Sequence, residues 1–242
     1  DGQWNDVASA ATAVNLVTGV TQADLTRYAD GGSTMRTLGA FGSARRTRGP
    51  HTLRGGVRYS HAAVHSTFLD TTWLDLPVRT FDQSKGALTG SASWSAKWSS
   101  QLQTLSSLSS GFRHPNVDDL GKVREKNGFV LVPNADLKPE YLYTAEQGLT
   151  WSLRPQSDVL VVQAAAFASL WQDAIVQADA SLAGDTILVI DGDSARIQMN
   201  QNIDRAWVRG VRLEVSGRLW PKTTFRSVIN WTLGSSLDDA AT

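Results

Sequence analysis

The chain has 242 residues, and its 23 Lys and Arg balance its 23 Asp and Glu, so the formal net charge is zero. This neutral balance argues against a nucleic-acid-binding protein, which usually carries a basic excess. The absence of cysteine excludes disulfides, cysteine-based zinc sites and thiol chemistry. No run approaches the roughly 18 consecutive apolar residues of a transmembrane helix. This criterion does not detect membrane β-strands, because they expose apolar side chains only at every second position.

Residues 1–32 are weakly patterned and rich in Ala, Thr, Asp and Gly, and we predict a loop there. The first residues lack the basic region, the apolar run and the cleavage site of a signal peptide. The final residues, SSLDDAAT, are polar and typical of a loop rather than of a terminal strand. We therefore expect either a mature chain or a piece of a longer one.

From Ser33 onwards the pattern is that of β-strands joined in pairs by short turns containing Pro, Gly or Ser. The predicted strands are Ser33–Arg46, His51–Phe68, Gly86–Lys97, Gln101–Gly111, Lys138–Leu153, Asp158–Trp171, Arg205–Leu219 and Thr223–Gly234. The turns within pairs are 47–50, 98–100, 154–157 and 220–222. The connections between pairs are long, at Leu69–Lys85, Phe112–Leu137 and Gln172–Asp204. Short turns at one end and long loops at the other are typical of an outer-membrane β-barrel, whereas a soluble sandwich distributes its loop lengths over both ends.

Several of these runs alternate between apolar and polar residues, as expected for a sheet with one apolar face. In the last run, Phe225, Ile229, Trp231 and Leu233 share one face, and Arg226 lies on the other. The runs Ser33–Arg46 and Gln101–Gly111 fit the alternation poorly, and Asp158–Trp171 is apolar on both faces for part of its length. Each run is long enough for the 9–11 or so tilted residues that cross a bilayer.

The positions of the tryptophans favour a membrane wall over an ordinary protein core. Trp98, Trp151 and Trp220 lie beside short turns, whereas Trp171 and Trp207 lie at the long-loop ends. Aromatic rings prefer the two membrane–water interfaces, so we predict an aromatic girdle at each end of the strands.

The most specific motifs lie in and after the second long connection. Gly111–Leu120, GFRHPNVDDL, resembles the GFR-x-PN-x-x-(D/E)L signature of TonB-dependent outer-membrane receptors, and Val132–Glu140, VPNADLKPE, resembles the NP-x-LKPE element that follows it. Glu146 and Gly148 match the E-x-G of the next strand. Asn200–Val211, NQNIDRAWVRGV, resembles a later N-x-x-x-A-x-x-x-GVE segment.

Ser84–Ser91, SKGALTGS, is also similar to this family, so the motifs span about 84–215. Two residues depart from the family pattern. Ala135 stands where Pro is common, and Arg212 stands where Glu is usual, which makes the charge within that strand unusual.

The resemblance implies an all-β fold, an antiparallel up-and-down transmembrane β-barrel of which residues 1–242 form one partial domain. About eight strands would belong to a larger, 22-stranded wall. It further implies an outer-membrane location, contact with outer-membrane lipid, an upstream plug domain of the same chain, and energy from the TonB complex through that plug. The function it implies is energy-coupled uptake of a scarce small-molecule or oligomeric substrate. A siderophore, a cobalamin, a glycan and a peptide all remain open.

Candidate substrate-binding residues are polar side chains of the second long connection and of the predicted lumen-facing wall. They are Arg113, His114, Asn116, Asp118, Arg212, Glu214 and Arg226. The alternative is that these residues only connect the loops to one another and keep the lumen hydrated.

No catalytic motif or phosphate-binding loop is present, so we expect a protein that is not an enzyme and needs neither cofactor nor metal. His61 and His65 share a strand face but lie too far apart along an extended chain to hold one metal without a third ligand. Asp191-Gly192-Asp193 lacks the downstream Glu of a calcium loop, and we interpret it as a turn between 186–190 and 196–199.

Two other classes remain open from the sequence. One is a small stand-alone outer-membrane barrel with a structural or adhesin role, and the other is a soluble β-sandwich binding module. The sandwich would bury Leu213, Val215, Ile229 and Trp231 in a closed core and leave Glu214 and Arg226 outermost.

Overall fold

The computed structural model describes residues 1–24, 26–69, 79–153, 160–190, 192–220 and 222–237, which are almost entirely β-strand. No helix in this part of the chain has the length and apolar character needed to span a bilayer. In chain order the elements are β1 (Gly2–Val7), β2 (Thr12–Val14), β3 (Thr21–Ala23), β4 (Ser33–Arg48), β5 (His51–Thr67), β6 (Thr80–Lys97), β7 (Leu102–Arg113), α1 (Val117–Gly121), β8 (Arg124–Lys126), β9 (Phe129–Val132), β10 (Glu140–Ser152), β11 (Leu160–Asp179), β12 (Ile187–Ile190), β13 (Asp193–Trp220) and β14 (Thr223–Ser236).

Nine strands form one antiparallel wall in the order β1-β4-β5-β6-β7-β10-β11-β13-β14. Short connections, such as Gly49-Pro50 between β4 and β5, close the pairs at one end of the wall, the short-turn end. The long connections meet at the opposite end, the long-loop end. Among the described residues no ladder joins β1 to β14, so the sheet is an open, partial barrel. The predicted fold class is confirmed.

The cross-strand register sorts the side chains onto an apolar face and a polar face. On the apolar face Val211 lies opposite Ala166 and Trp231, and Leu213 lies opposite Ile229. Leu213, Ile229 and Trp231 remain 41%, 62% and 57% exposed. They do not pack into a closed core, which excludes the sandwich arrangement for this wall.

Strand β7 fits the alternation poorly because Thr104, Ser106 and Ser110 lie on the apolar face and Leu105 lies on the polar face. The Ser106 hydroxyl donates to Gln147 Oε1 at 2.5 Å across the ladder, so the two polar side chains satisfy each other there. The pair explains how a polar residue occurs on this face without changing the register.

Aromatic residues gather on the apolar face at the short-turn end, as predicted. His51 stacks on Trp94 with ring centroids 5.7 Å apart, Trp98 meets the edges of both rings, and its Nε1 donates to Thr104 Oγ1 at 2.8 Å. A register shift between Arg218 and Trp220 places Trp220 opposite Thr223, on the apolar side.

The prediction for Trp171 was wrong. Trp171 lies opposite Leu142, two positions beyond the Thr144–Ser169 hydroxyl pair of the polar face. Since side chains two residues apart share a face, Trp171 belongs to the polar face, whereas Trp207 lies on the apolar face opposite Leu170.

The prediction of a loop over residues 1–32 was also wrong in part. β1 pairs with β4 from Gly2 opposite Leu38 to Val7 opposite Ser33, and β2 and β3 form a hairpin. β1 is an edge strand held by backbone hydrogen bonds to β4, and such pairing leaves little alternation in the sequence. The wall therefore has nine described strands rather than the eight predicted.

Three strands extend further toward the long-loop end than predicted: β6 begins at Thr80, β11 continues to Asp179, and β13 begins at Asp193. The hairpin predicted between 186–190 and 196–199 forms in a tighter register, with Ile187 opposite Arg196. Some predicted features lie outside the described residues. They are the turn at 154–157, residues 158–159 of the following predicted strand, residues 70–78 of the first long connection, Asp191 and Pro221.

The buried apolar core lies among the long connections rather than within the wall. We call this region, made of α1, β8, β9, β12 and the adjoining ends of β5, β6, β11 and β13, the loop layer. Its main cluster comprises Ala29, Phe68, Phe81, Val123, Val130, Val132, Leu182, Ala195 and Ile197. A second cluster, beneath α1, comprises Val64, Val117, Leu120 and Leu137. β9 pairs in parallel with β13, so one ladder joins the second and third long connections.

Candidate functional site

The structure separates the predicted binding residues into two groups. Those of the second connection lie in the loop layer, and those of β13 and β14 lie on the polar face of the wall. Arg113 is opposite Glu140 at one end of β10, whereas Glu214 is level with Thr150 of the same strand through Gln163. At about 3.3 Å per residue, roughly 30 Å of strand separates the two levels.

The loop-layer group begins with a capped helix. Asn116 Oδ1 accepts a hydrogen bond from the Asp119 backbone N–H at 2.9 Å, and Asp119 Oδ2 accepts one from the Asn116 N–H at 3.0 Å. This reciprocal capping box satisfies two donors at the start of α1. Asn116 therefore uses its side-chain oxygen to hold the helix.

Arg113 ties both ends of the second connection to the wall. Its Nη1 donates to Asp119 Oδ2 at 2.5 Å, and its Nε donates to the buried Glu140 at 2.6 Å. The second oxygen of Glu140 accepts from the Ile175 backbone N–H of β11 at 2.8 Å. The network joins β7, α1, β10 and β11, and the Arg113 side chain remains 43% exposed.

Asp118 joins the N-terminal segment to α1. Its Oδ1 accepts from Tyr28 Oη at 3.0 Å and from Arg27 Nη2 at 3.3 Å, and Lys122 Nζ lies 3.6 Å away. Partial burial opposes the charged carboxylate, but these hydrogen bonds and positive charges outweigh burial and lower the pKa of Asp118 below its usual range. Asp118 is therefore ionised at neutral pH and occupied by partners within the chain.

His114 is buried, and only one of its ring nitrogens has a partner in the described part of the chain. Its Nδ1 donates to the Pro115 carbonyl at 2.8 Å, whereas Nε2 is enclosed without a hydrogen bond. Burial lowers the pKa of His114 despite the Pro115 contact, and the nearby charges of His61 and Lys85 lower it further. The ring is therefore neutral at pH 7 and keeps an unused acceptor.

Three asparagines that the sequence motifs contain, but that we did not predict as site residues, connect the loops. Asn134 Nδ2 donates to the Asn200 carbonyl at 2.7 Å, and Asn200 Nδ2 donates to the Asp119 carbonyl at 2.9 Å. Asn202 exchanges hydrogen bonds with the backbone of Lys138 at 2.8 and 3.0 Å. Side-chain amides that satisfy loop carbonyls leave no periodic signal, and only the motif positions of Asn134 and Asn202 could have indicated them.

The second group surrounds one buried carboxylate on the polar face. Glu214, whose side chain is 8% exposed, accepts from Arg212 Nη2 at 2.7 Å and from Arg226 Nε and Nη2 at 2.7 and 3.0 Å. Arg212 and Arg226 remain 50% and 62% exposed. The unusual charge of Arg212 within β13 is thus compensated two residues later by Glu214.

This ion cluster borders a hollow of about 610 Å³ on the wall, which Glu146 and Asn230 also line. Both guanidiniums keep free N–H groups because Glu214 occupies only part of their donor capacity. The hollow can therefore pair with carboxylates, phosphates or carbonyl oxygens presented from inside the barrel.

The histidines of β5 do not combine into a metal site. His65 Nδ1 lies 2.6 Å from Asp82 Oδ1, and His61 Nε2 lies 3.0 Å from Ser84 Oγ, so each pairs separately with β6. Within the described ranges, no three His, Asp or Glu side chains are grouped to hold a metal ion.

A sequence model of the family described as TonB dependent receptor-like, beta-barrel, matches residues 1–242. Among solved structures, the chain is similar to the copper transporter OprC, at 18% identity and a TM-score of 0.65, over 94% of this chain and 32% of that one. The alcaligin outer-membrane receptor FauA from Bordetella pertussis matches at 16% identity and a TM-score of 0.57, over 86% of this chain and 31% of that one. The hemophore receptor HasR from Serratia marcescens, in complex with the hemophore HasA and heme, matches at 14% identity and a TM-score of 0.59, over 94% and 40%.

The chain spans less than half the length of each of these three structures. At such identities the likeness shows the fold alone. A comparison with curated proteins finds no match.

Proposed function

The chain belongs to the TonB-dependent receptor-like β-barrel family, and on that premise we propose that it forms part of the wall and outer loops of an outer-membrane uptake receptor. The receptor binds a scarce solute at its outer face and imports it with energy supplied by the TonB complex. A plug domain upstream of residues 1–242 in the same chain fills the lumen and transmits that energy. The chain acts in binding and passage, and not as an enzyme.

The observation that carries this proposal is the division of one continuous sheet into two unlike faces. The apolar face is exposed over the breadth of the wall, with Leu88, Leu108 and Ile229 more than half exposed. A soluble protein rarely exposes so large an apolar surface to water, whereas in the outer membrane lipid covers such a surface. The polar face, with Glu214 and its arginines, then lines the lumen and meets the plug or a passing solute.

The loop layer supports the same orientation. Its buried core and the Arg113–Glu140 network fix the long connections over one end of the wall, where a receptor presents its binding surface. Most polar groups of Asn116, Asp118 and Asp119 are used inside the layer, so they shape this surface more than they contact a ligand. The solute is a siderophore, a cobalamin, a glycan or a peptide, and an uptake assay decides among them.

The membrane assignment is tested by paired substitutions on β14 in the full-length receptor. Ile229→Lys puts a charge on the apolar face and should cost about 2–4 kcal/mol of insertion free energy near the bilayer centre. Thr232→Lys, on the polar face of the same strand, should leave assembly unchanged. Outer-membrane yield and heat-modifiable mobility on gels measure assembly. Equal yields for the two variants would contradict the assignment of the apolar face to lipid.

The transport assignment is tested by uptake in cells that carry or lack TonB. Labelled ferric siderophore, cobalamin, oligosaccharide and peptide are supplied separately to cells producing the full-length receptor. One of them should accumulate only when both the receptor and TonB are present. Accumulation that is independent of TonB would contradict energy-coupled uptake and favour a stand-alone barrel.

A further inference from the structure

The loop layer contains a small sheet, formed by β8, β9 and the adjoining ends of β13 and β11, whose two faces differ sharply in charge. Its inner face packs Val130 and Ile197 into the core. Its outer face, defined by the register of the four strands, carries Arg124, Lys126, Phe129, Leu131, Arg196, Gln198, Gln177 and Asp179. Side chains of this outer face and the neighbouring Lys122 enclose a hollow of about 250 Å³.

Among the described residues, the lining of the hollow is rich in hydrogen-bond donors and includes no carboxylate, and the Asp179 carboxylate at its border accepts a hydrogen bond from Gln198 Nε2 at 3.0 Å. Its polar residues are Lys122, Arg124, Lys126, Asn127, Gln177 and Gln198. The amides of Gln177 and Gln198 bond to each other across the ladder, which fixes them at the border of the hollow. Three positive charges thus converge on one opening.

Two of these cations have no counter-ion in the described part of the chain. Lys122 lies 3.6 Å from Asp118, and the adjacent Arg196 lies 3.6 Å from Asp179, whereas Arg124 and Lys126 have no ion pair there. Glu125, between them on β8, lies on the opposite face, because alternate residues of a strand point to opposite sides. The acidic residue nearest in sequence therefore does not neutralise the pair.

The floor of the hollow is apolar. Phe129 and Leu131 lie opposite Lys126 and Arg124 on the neighbouring strand, and Leu131 is only 8% exposed. The Asn127-Gly128 turn, with φ of 55° and 76°, holds β8 against β9 in the left-handed conformations that a tight hairpin requires. The two unpaired cations therefore project from a strand that is paired with β9.

We propose that this hollow, the β8 cleft, binds an oxyanion group, a phosphate or a carboxylate, of a larger ligand at the long-loop end. Arg124 and Lys126 supply the charge, Lys122 and the amides supply further donors, and Phe129 packs against the apolar part of the ligand. A hollow of about 250 Å³ is smaller than the pockets of roughly 300–1,000 Å³ that enclose drug-sized molecules, so the cleft takes one group rather than a whole ligand. This proposal does not rest on the proposed uptake function.

The experiment uses the full-length receptor in nanodiscs of zwitterionic lipid, with two probes titrated calorimetrically. Inorganic pyrophosphate represents a dissolved solute, and the water-soluble lipid dihexanoyl phosphatidic acid represents a phosphorylated headgroup. The variant Arg124→Gln/Lys126→Gln removes the unpaired charges, and Arg124→Lys/Lys126→Arg keeps them. Glu125→Gln is the matched control on the opposite face of β8.

The unaltered receptor should bind at least one probe, about tenfold more tightly than the double glutamine variant, and added salt should weaken binding. The charge-keeping variant and Glu125→Gln should retain the affinity. Tighter binding of pyrophosphate assigns the cleft to a solute, and tighter binding of the lipid assigns it to a headgroup. Absence of binding for both probes, or equal affinity in the double glutamine variant, overturns the proposal whatever the uptake assays give.

Discussion

Replacing Ile197 by alanine should loosen the loop layer while leaving the wall folded. Ile197 is fully buried and lies opposite Val130 across the parallel ladder between β9 and β13. The substitution removes three carbon atoms, worth about 0.8 kcal/mol each in transfer free energy, and leaves a cavity. The two effects together should lower the free energy of opening the layer by about 3 kcal/mol, within the range of roughly 2–5 kcal/mol for such truncations.

Hydrogen exchange followed by mass spectrometry on the full-length receptor measures this opening. A loss of about 3 kcal/mol corresponds to a roughly hundredfold faster exchange, provided that exchange occurs through local opening. The acceleration should be confined to peptides covering 124–132 and 193–199. The ladders from β4 to β10 and between β13 and β14 should keep their protection, because Ile197 lies outside them.

Val189→Ala on β12 is the matched control, because Val189 lies in the same layer but is 70% exposed. It should change the opening free energy by less than about 0.5 kcal/mol. Similar exchange in the Ile197 and Val189 variants would refute a core in the loop layer. Acceleration spread evenly through β7 and β10 would refute its independence from the wall.

The other predictions concern a close approach in the wall, a titration and the buried carboxylate of an ion pair. Gly210→Ala should destabilise the wall by about 1–3 kcal/mol, because the added Cβ would clash with the Trp231 backbone carbonyl and lie 2.9 Å from the Phe167 ring. Gel heat-modifiability should show a lower unfolding temperature than for Gly111→Ala, where nothing lies within 4 Å of the added Cβ. Because burial lowers the pKa of His114, the folded loop layer binds a proton less readily than the unfolded chain. The stability of the loop layer should therefore fall as the pH drops below the ordinary histidine pKa of about 6.5. His114→Gln should flatten this pH dependence in hydrogen-exchange experiments at about pH 5–7.5. Glu140→Gln should lower the free energy of opening the loop layer by about 1–3 kcal/mol, because it removes a charge-assisted hydrogen bond with Arg113. Unchanged hydrogen exchange in this variant would show that the Glu140 carboxylate does not stabilise the layer.

The wall could be predicted from the sequence because its signal is repeated and local. Alternation placed Leu213 and Ile229 on one face and Arg212 on the other, and the loop lengths separated the two ends. β1 escaped prediction because an edge strand is fixed by backbone pairing with β4. Trp171 was misplaced because proximity to a strand end does not determine which face a residue occupies.

The candidate site was less accessible to sequence reasoning because its contacts span long separations. Arg113 reaches Glu140 across 27 residues, and Asn200 reaches the Asp119 carbonyl across 81. Motif resemblance indicated that these positions matter, but only the structure shows that Asn116 and Asp118 bind partners within the chain. The β8 cleft has no alternation or motif to reveal it, since its cations converge only through the β8–β9 turn.

The parallel pairing of β9 with β13 has a practical consequence for engineering receptors of this kind. A chimaera that exchanges the second long connection alone would leave Ile197 and Met199 without the strand that covers them. Grafting the third connection alone would likewise leave Val130 and Val132 without their pairing partner. The two segments should therefore be transplanted together, as one cassette, if a new ligand preference is to be moved without collapse of the outer surface.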